Sequence, residues 1–284
     1  MFDTDCKYDN IPYDTVDCRA HRELNRRMAQ ESVVLLKNNG ILPLKNSPDL
    51  TIAVIGNNAD RREVLLGNYN GTPFEAVTPF DAFRQRFAGQ LYYAVGCHTV
   101  QEEDPTTYLE HPLREAVIAA QKSDVVVMCM GIDPSIEGEQ GDAYSLFGDS
   151  GDKRSLEFPA SQKKLYEAIR ATGKPIIFVN ISGSAMALGD QDEHCAAVVQ
   201  QFYPGAQGGN ALFDVLFGEV NPSGRLPVTF YRSDSDLPDF SDYSMENRTY
   251  RYFTGTPLYP FGYGLSYTRF ACDRSEERRV GKEC

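Results

Sequence analysis

The strongest restriction on the fold is a series of short apolar runs that stop at glycine or a polar turn. Ile52, Val54 and Ile55 form one such run, ending at Gly56, and "DVVVMCMG" forms another, ending at Gly131. "KPIIFVN" and "AAVVQQF" read the same way, and "QLYYAV" is a further short strand. A strand covered on both faces is nearly continuous in its apolar residues, whereas a strand with one wet face alternates. The stretches between them carry helical signals: "VTPFDAFRQRF", "LREAVIAAQKS", "ASQKKLYEAIRATG" closed by Gly173, and "GGNALFDVLFG". Strands alternating with helices of this kind predict a mostly parallel α/β sheet with helices on both faces. A first helix is expected over residues 20–37, with Leu24, Met28, Val33 and Leu36 at helical spacing and Asn38-Asn39-Gly40 as the stop. "GRLPVTF" is expected to add a last strand.

Composition sets outer limits. A chain of 284 residues suits one large domain or two small ones. Its net charge of −12 repels phosphate backbones, so no nucleic acid partner is expected. No apolar run approaches the roughly 18 residues of a membrane span, and no membrane association is expected. The first residues lack the basic start and apolar core of a signal peptide. The seven cysteines are scattered, with no CxxC pair and no zinc spacing; Cys129, inside an apolar strand, is expected to be a buried thiol. No cofactor is expected.

In parallel sheets, ligands bind outside the carboxyl ends of the strands. Three connections begin there: "NNADRREVLLGNYNGTP", the long acidic segment that follows Gly131, and "YPGAQGG". The second runs to Pro159, far longer than the usual loop of a compact domain, and such loops are commonly functional. It carries Glu137 and Glu139, which alternation in an extended chain would point to one side, where mutual repulsion would raise the pKa of one. From chemistry alone this pair is either an acid–base site or two solvated acids. Asp133, Glu137, Glu139, Asp142, Asp149 and Asp152 also raise a metal reading, but they do not follow a calcium-loop pattern and no histidine lies beside them, so no metal is assigned. Neither GxGxxG nor GxxxxGK[ST] occurs, which disfavours a nucleotide site, and the glycines of "YPGAQGG" suit a tight turn and close helix packing. His21, His98, His111 and His194 are dispersed and no GxSxG elbow exists, so a serine triad has no support.

Taken together, "ESVVLLKNNGILPLK", "IAVIGNNAD…LLGNYNGTP", "GIDPSIEGE…GDKRSLEFP", "YPGAQGGNALFDVLFGEVNPSGRLPVTF" and "YRYFTGTPLYPFGYGLSYTRF" resemble the C-terminal domain of family 3 glycoside hydrolases, nearest the β-xylosidase group. They cover residues 20–270 in the family's order. The resemblance implies a six-stranded α/β sandwich packed beside a (β/α)8 barrel, and retaining hydrolysis of terminal β-linked sugars, xylose favoured, from oligosaccharides or aryl glycosides. In that chemistry a barrel aspartate attacks the anomeric carbon, and a sandwich-domain glutamate protonates the leaving oxygen and then activates water. By position that glutamate is Glu139, with Glu137 the alternative. Asn68, Tyr69, Asn70 and Arg154 are implied sugar-site residues, although Arg154 equally suits a structural role. The chain departs from the family pattern where "GDKR", after a longer insertion, stands for the usual DR pair.

The resemblance also implies that parts of the enzyme lie outside this chain. Residues 1–22 resemble the linker that leaves the barrel, residues 23–271 the sandwich domain, and residues 272–284 look like a non-native tail. The nucleophile has no counterpart here, so the chain is expected to be inactive alone and its barrel-facing surface to be apolar and prone to self-association. The rival readings are a non-catalytic carbohydrate-binding module of the same fold and a nucleotide-binding α/β domain. Relatives are often secreted or periplasmic, but this sequence leaves the compartment undetermined.

Overall fold

The computed structural model describes residues 6–100, 111–137, 153 and 155–269. Its helices are α1 (Arg19–Ser32), α2 (Pro79–Arg86), α3 (Pro112–Lys122), α4 (Ala160–Arg170), α5 (Gly189–His194), α6 (Gly208–Leu216) and the single turn α7 (Thr249–Tyr252). Its strands are β1 (Val34–Asn38), β2 (Thr51–Ile55), β3 (Gln90–Ala94), β4 (Val125–Gly131), β5 (Ile176–Ile181) and β6 (Ala197–Gln201). They form one six-stranded sheet in the order β1-β6-β5-β4-β2-β3, parallel throughout except that β1 runs antiparallel to β6. This is the mostly parallel α/β architecture expected from the apolar runs.

Both faces of the sheet are buried. Along β4, Val126, Met128 and Met130 face one core with Ala116, Ala119, Leu165 and Ile169 of α3 and α4. Val125, Val127 and Cys129 face the other, with Phe83 of α2 and Leu212 and Phe213 of α6. Two cores explain why β4 is apolar at every position. Cys129 is fully buried as a free thiol. Local signals set the helix starts: Thr78 and Asp81 close a capping box around the first turn of α2, with Pro79 at its first position.

Two expectations fail. The stretch expected as one helix over 20–37 breaks at Val33: α1 ends at Ser32 and "VLLKN" is the edge strand β1. Leu24 and Met28, expected on the core stripe, are 45% and 62% exposed. Adjacent β-branched Val33 and Val34 favour the extended form, and pairing with β6 takes up the backbone from Val34 onward. "GRLPVTF" is not a strand either. Pro227 lacks a ladder donor, and the segment makes an isolated bridge, Phe230 with Tyr259, with further single bonds to Leu258, Gly262 and Tyr263. The C-terminal aromatic stretch then closes over β1, with Leu265 N bonded to Leu35 O and Tyr263 Oη donating to Leu36 O. Among the described residues, no helix is long and apolar enough to cross a membrane.

Candidate functional site at the carboxyl ends of β2 and β4

From β2 the chain crosses to β3 on one side; from β3 it returns to β4 on the other. The carboxyl ends of β2 and β4 therefore flank a topological switch point, the place where open α/β sheets bind ligands. A cleft of about 390 Å³ lies there, lined by Arg62, Glu63, Leu66, Asn68 and Asn70 from the β2 connection and by Pro134 and Ser135 from the β4 connection.

Side-chain amides brace the strand ends beneath it. Gln162 of α4 accepts from Gly131 N at 3.0 Å and donates to Gly131 O at 2.7 Å and Thr99 O at 2.8 Å. Asn58 donates to Ile181 O at 3.2 Å, and Asn180 donates to Gln200 at 2.6 Å. Gly131 turns the chain out of β4 at φ +132°, and a Cβ there would stand 2.0 Å from Ile181 O. Gly131→Ala is expected to cost about 1–3 kcal/mol through backbone strain alone. An unshifted urea midpoint for that variant would contradict this account of the turn.

The acidic segment opens with Asp133, which is completely buried rather than a solvated loop acid. Arg61 Nη1 stands 2.9 Å from Asp133 Oδ2 and also donates to Thr99 Oγ1 at 2.6 Å. Asp133 Oδ1 accepts from Ser135 N at 2.9 Å, and Asp133 O accepts from Ile136 N and Glu137 N. Asp133 thus caps a tight turn and is paired with Arg61. Among the described residues, no group of His, Cys, Asp and Glu is placed to hold a metal ion.

Glu137 follows, half-buried. Its Oε2 accepts from Gly183 N at 2.7 Å and from Tyr203 Oη, and its Oε1 accepts from Ser184 Oγ. Burial, and then the negative charge of Glu137, push the Tyr203 phenol well above its usual range, keeping it a donor. Lys153, where the described chain resumes, donates to Ala185 O, two residues beyond Gly183. Burial lowers its pKa to about 8, against the opposing pull of Glu137 and Asp234. Ser155 Oγ and Leu156 N both bond to Asp234, at 2.6 and 2.7 Å.

The residues singled out from sequence are distributed as follows. Asn68 and Asn70 line the cleft; Asn70 donates to Gly67 O at 2.6 Å, and Asn68 reaches Glu137 O at 3.5 Å. Tyr69 is 90% exposed and sits at φ +59°, a conformation uncommon for a non-glycine residue. Glu139, Asp142, Asp149, Asp152 and Arg154 lie outside the described residues. Sequence reasoning missed Arg61, Gly183, Ser184 and Tyr203, which converge on the site from other strand ends.

Residues 33–267 match the glycosyl hydrolase family 3 C-terminal domain. A xylan 1,4-β-xylosidase of Xylanibacter ruminicola is 30% identical over 93% of this chain and 46% of its own length. A periplasmic β-glucosidase of Salmonella typhimurium is 35% identical over 91% of this chain and 36% of its own. Among solved structures, a β-glucosidase from Erythrobacter marinus is 38% identical with a TM-score of 0.73, covering 89% of this chain and 36% of that one. A GH3 exo-β-xylosidase solved with a xylobiose aziridine probe is 30% identical with a TM-score of 0.78, over 93% of this chain and 34% of that one. This chain thus spans less than half the length of these relatives. With the matching sheet, helices and sequence order on the page, the chain belongs to the C-terminal domain family of glycoside hydrolase family 3.

Proposed function

We propose that this chain is the acid/base half of a retaining β-glycosidase that removes terminal β-linked sugars, with xylosides favoured, and that Glu139 is the general acid/base. The observation that carries the reading is the position of the acidic segment, which leaves β4 at the switch-point cleft next to Asn68 and Asn70. Glu137, the alternative acid, has both oxygens engaged by protein donors, which favours Glu139. In this reading a (β/α)8 barrel supplies the nucleophilic aspartate. Glu139 protonates the glycosidic oxygen as the sugar–aspartate bond forms, then takes a proton from the water that releases the sugar. Asn68, Asn70 and the exposed ring of Tyr69 would meet the sugar from this side, and Arg154 is kept as a further sugar-site candidate.

The two carboxyl groups of a retaining site stand about 5–5.5 Å apart, so the isolated chain is expected to hydrolyse aryl β-xylosides negligibly. Joined to a family barrel, it is expected to gain turnover. Glu139→Gln should then lower kcat/KM by about 100-fold on alkyl xylosides, and less on nitrophenyl xylosides, whose leaving group needs little protonation in the first step. Robust hydrolysis by the 284-residue chain alone would overturn the division of labour. An equal loss on both substrates would overturn the acid role. Tight xylose binding by the chain alone, with no turnover once a barrel is joined, would instead favour the carbohydrate-binding module.

A further inference from the structure

Glu137 has the geometry of a latch. Its carboxylate is held by groups that follow two other strands: Gly183 and Ser184 after β5, and Tyr203 after β6. Three donors on one carboxylate, at least one of them from the backbone, make short and directional bonds. Gly183 leaves the room for this approach, since a Cβ there would stand 2.8 Å from Glu137 Oε2 and 2.5 Å from the Tyr203 ring. The return of the segment is tied to the same place: Lys153 donates to Ala185 O and contacts Met186 Sδ. Both ends of the interval between Glu137 and Lys153 are therefore fastened to residues 183–186.

We infer that Glu137 is a positioning residue: its carboxylate latches the start of the acidic segment to Gly183, Ser184 and Tyr203, while Lys153 fastens its return. The catalytic consequence, that the latch aims the acid two residues further on, rests on the function proposed above. The latch itself does not. A carboxylate serving as a free acid would leave the Gly183 amide to water; here that amide, although exposed, has Glu137 as its acceptor.

The test uses the 284-residue chain and reads Gly183 amide exchange together with the Tyr203 ring chemical shifts at neutral pH by ring-labelled NMR. Glu137→Ala is expected to speed Gly183 exchange by about tenfold or more, because a charge-assisted bond is lost. Glu137→Gln, which preserves shape, should speed it less and should shift the Tyr203 ring signals, since the carboxylate that accepts from the Tyr203 hydroxyl is gone. Gly183→Ala should shift the same ring signals by displacing the carboxylate. Glu139→Gln should leave both readouts at the wild-type value. Gly183 exchange within about twofold of wild type in both Glu137 variants, or unmoved Tyr203 ring signals in Glu137→Gln, would overturn the latch. Failure of Glu139→Gln to impair a barrel-joined enzyme would overturn the acid assignment and leave these readouts unchanged.

Discussion

Replacing Asp214 with alanine is expected to destabilise the chain by about 3–5 kcal/mol, the range seen when one partner of a buried ion pair is removed. Asp214 lies on α6 and is 1% exposed. Arg26 of α1 grips it with two bonds, of 2.8 and 2.7 Å, Gln30 adds one of 2.5 Å, and Arg86 of α2 adds another of 2.5 Å. One carboxylate thus joins three helices on the same face of the sheet. Burial opposes its ionisation, but the bonds from Arg26, Gln30 and Arg86 outweigh burial and hold the carboxyl below the usual aspartate range. A depressed carboxylate stabilises the fold above its unfolded pKa, and that contribution fades as pH falls through the folded value. The arginines are partly exposed and Arg86 keeps Glu219 at 2.7 Å, so they regain some solvation when Asp214 is lost. The expected loss therefore sits toward the lower end of the range. Urea unfolding at pH 7 checks it, with Asp214→Asn retaining part of the stability. A loss below about 1 kcal/mol for alanine would show that the network behaves as a surface pair.

That network also marks the boundary of what a sequence reader sees. β4 and β5 were legible because strands between two apolar cores are nearly continuous in apolar residues, Asn180 being the exception in β5. The edge strand β1 was not, because "ESVVLLKN" continues a helical spacing without a glycine or proline to stop it, and its strand state depends on β6, more than 150 residues away. The helix α5, "GDQDEH", has no apolar period to announce it. At the site, the long connection and its place at a strand end were readable. The state of its acids was not. Asp133 and Glu137 look alike in the chain, yet one is sealed against Arg61 and the other is held by Gly183, Ser184 and Tyr203. Those partners are set by which strands lie side by side, and local spacing carries no record of that. Glu139 and Arg154 owe their candidacy to family resemblance alone.

Alkaline pH is expected to unfold the chain in two stages. Burial pushes the thiols of Cys97, Cys129 and Cys195 from 9.0 up to about 12. Between those values the unfolded chain releases protons that the folded chain keeps, so this contribution is complete below pH 9 and is lost as pH rises toward 12. Each group can contribute a slope of up to about 1.4 kcal/mol per pH unit, and the three together up to about 4.1. Lys153 works the other way. Its folded value of about 8 lies below its usual 10.5, so between these values the unfolded chain binds the extra proton and stability rises with pH. From pH 9 to 10.5 the lysine offsets up to about a third of the thiol loss. Above 10.5 the offset ends, while burial also keeps Tyr166 and Tyr259 protonated in the fold after their unfolded counterparts ionise. Stability should therefore rise slightly from pH 8 to 9, fall from there to about pH 10.5, and fall more steeply beyond it. Urea midpoints at intervals from pH 8 to 11 read the profile directly. Lys153→Met should remove the gentle stage, so that the steep fall begins near pH 9, whereas Cys129→Ala with Cys195→Ala should flatten the decline even if the double variant starts out less stable. A midpoint constant from pH 8 to 11 in the wild-type chain would mean that these thiols reach water in the fold, and the two-core packing around β4 would then need another description.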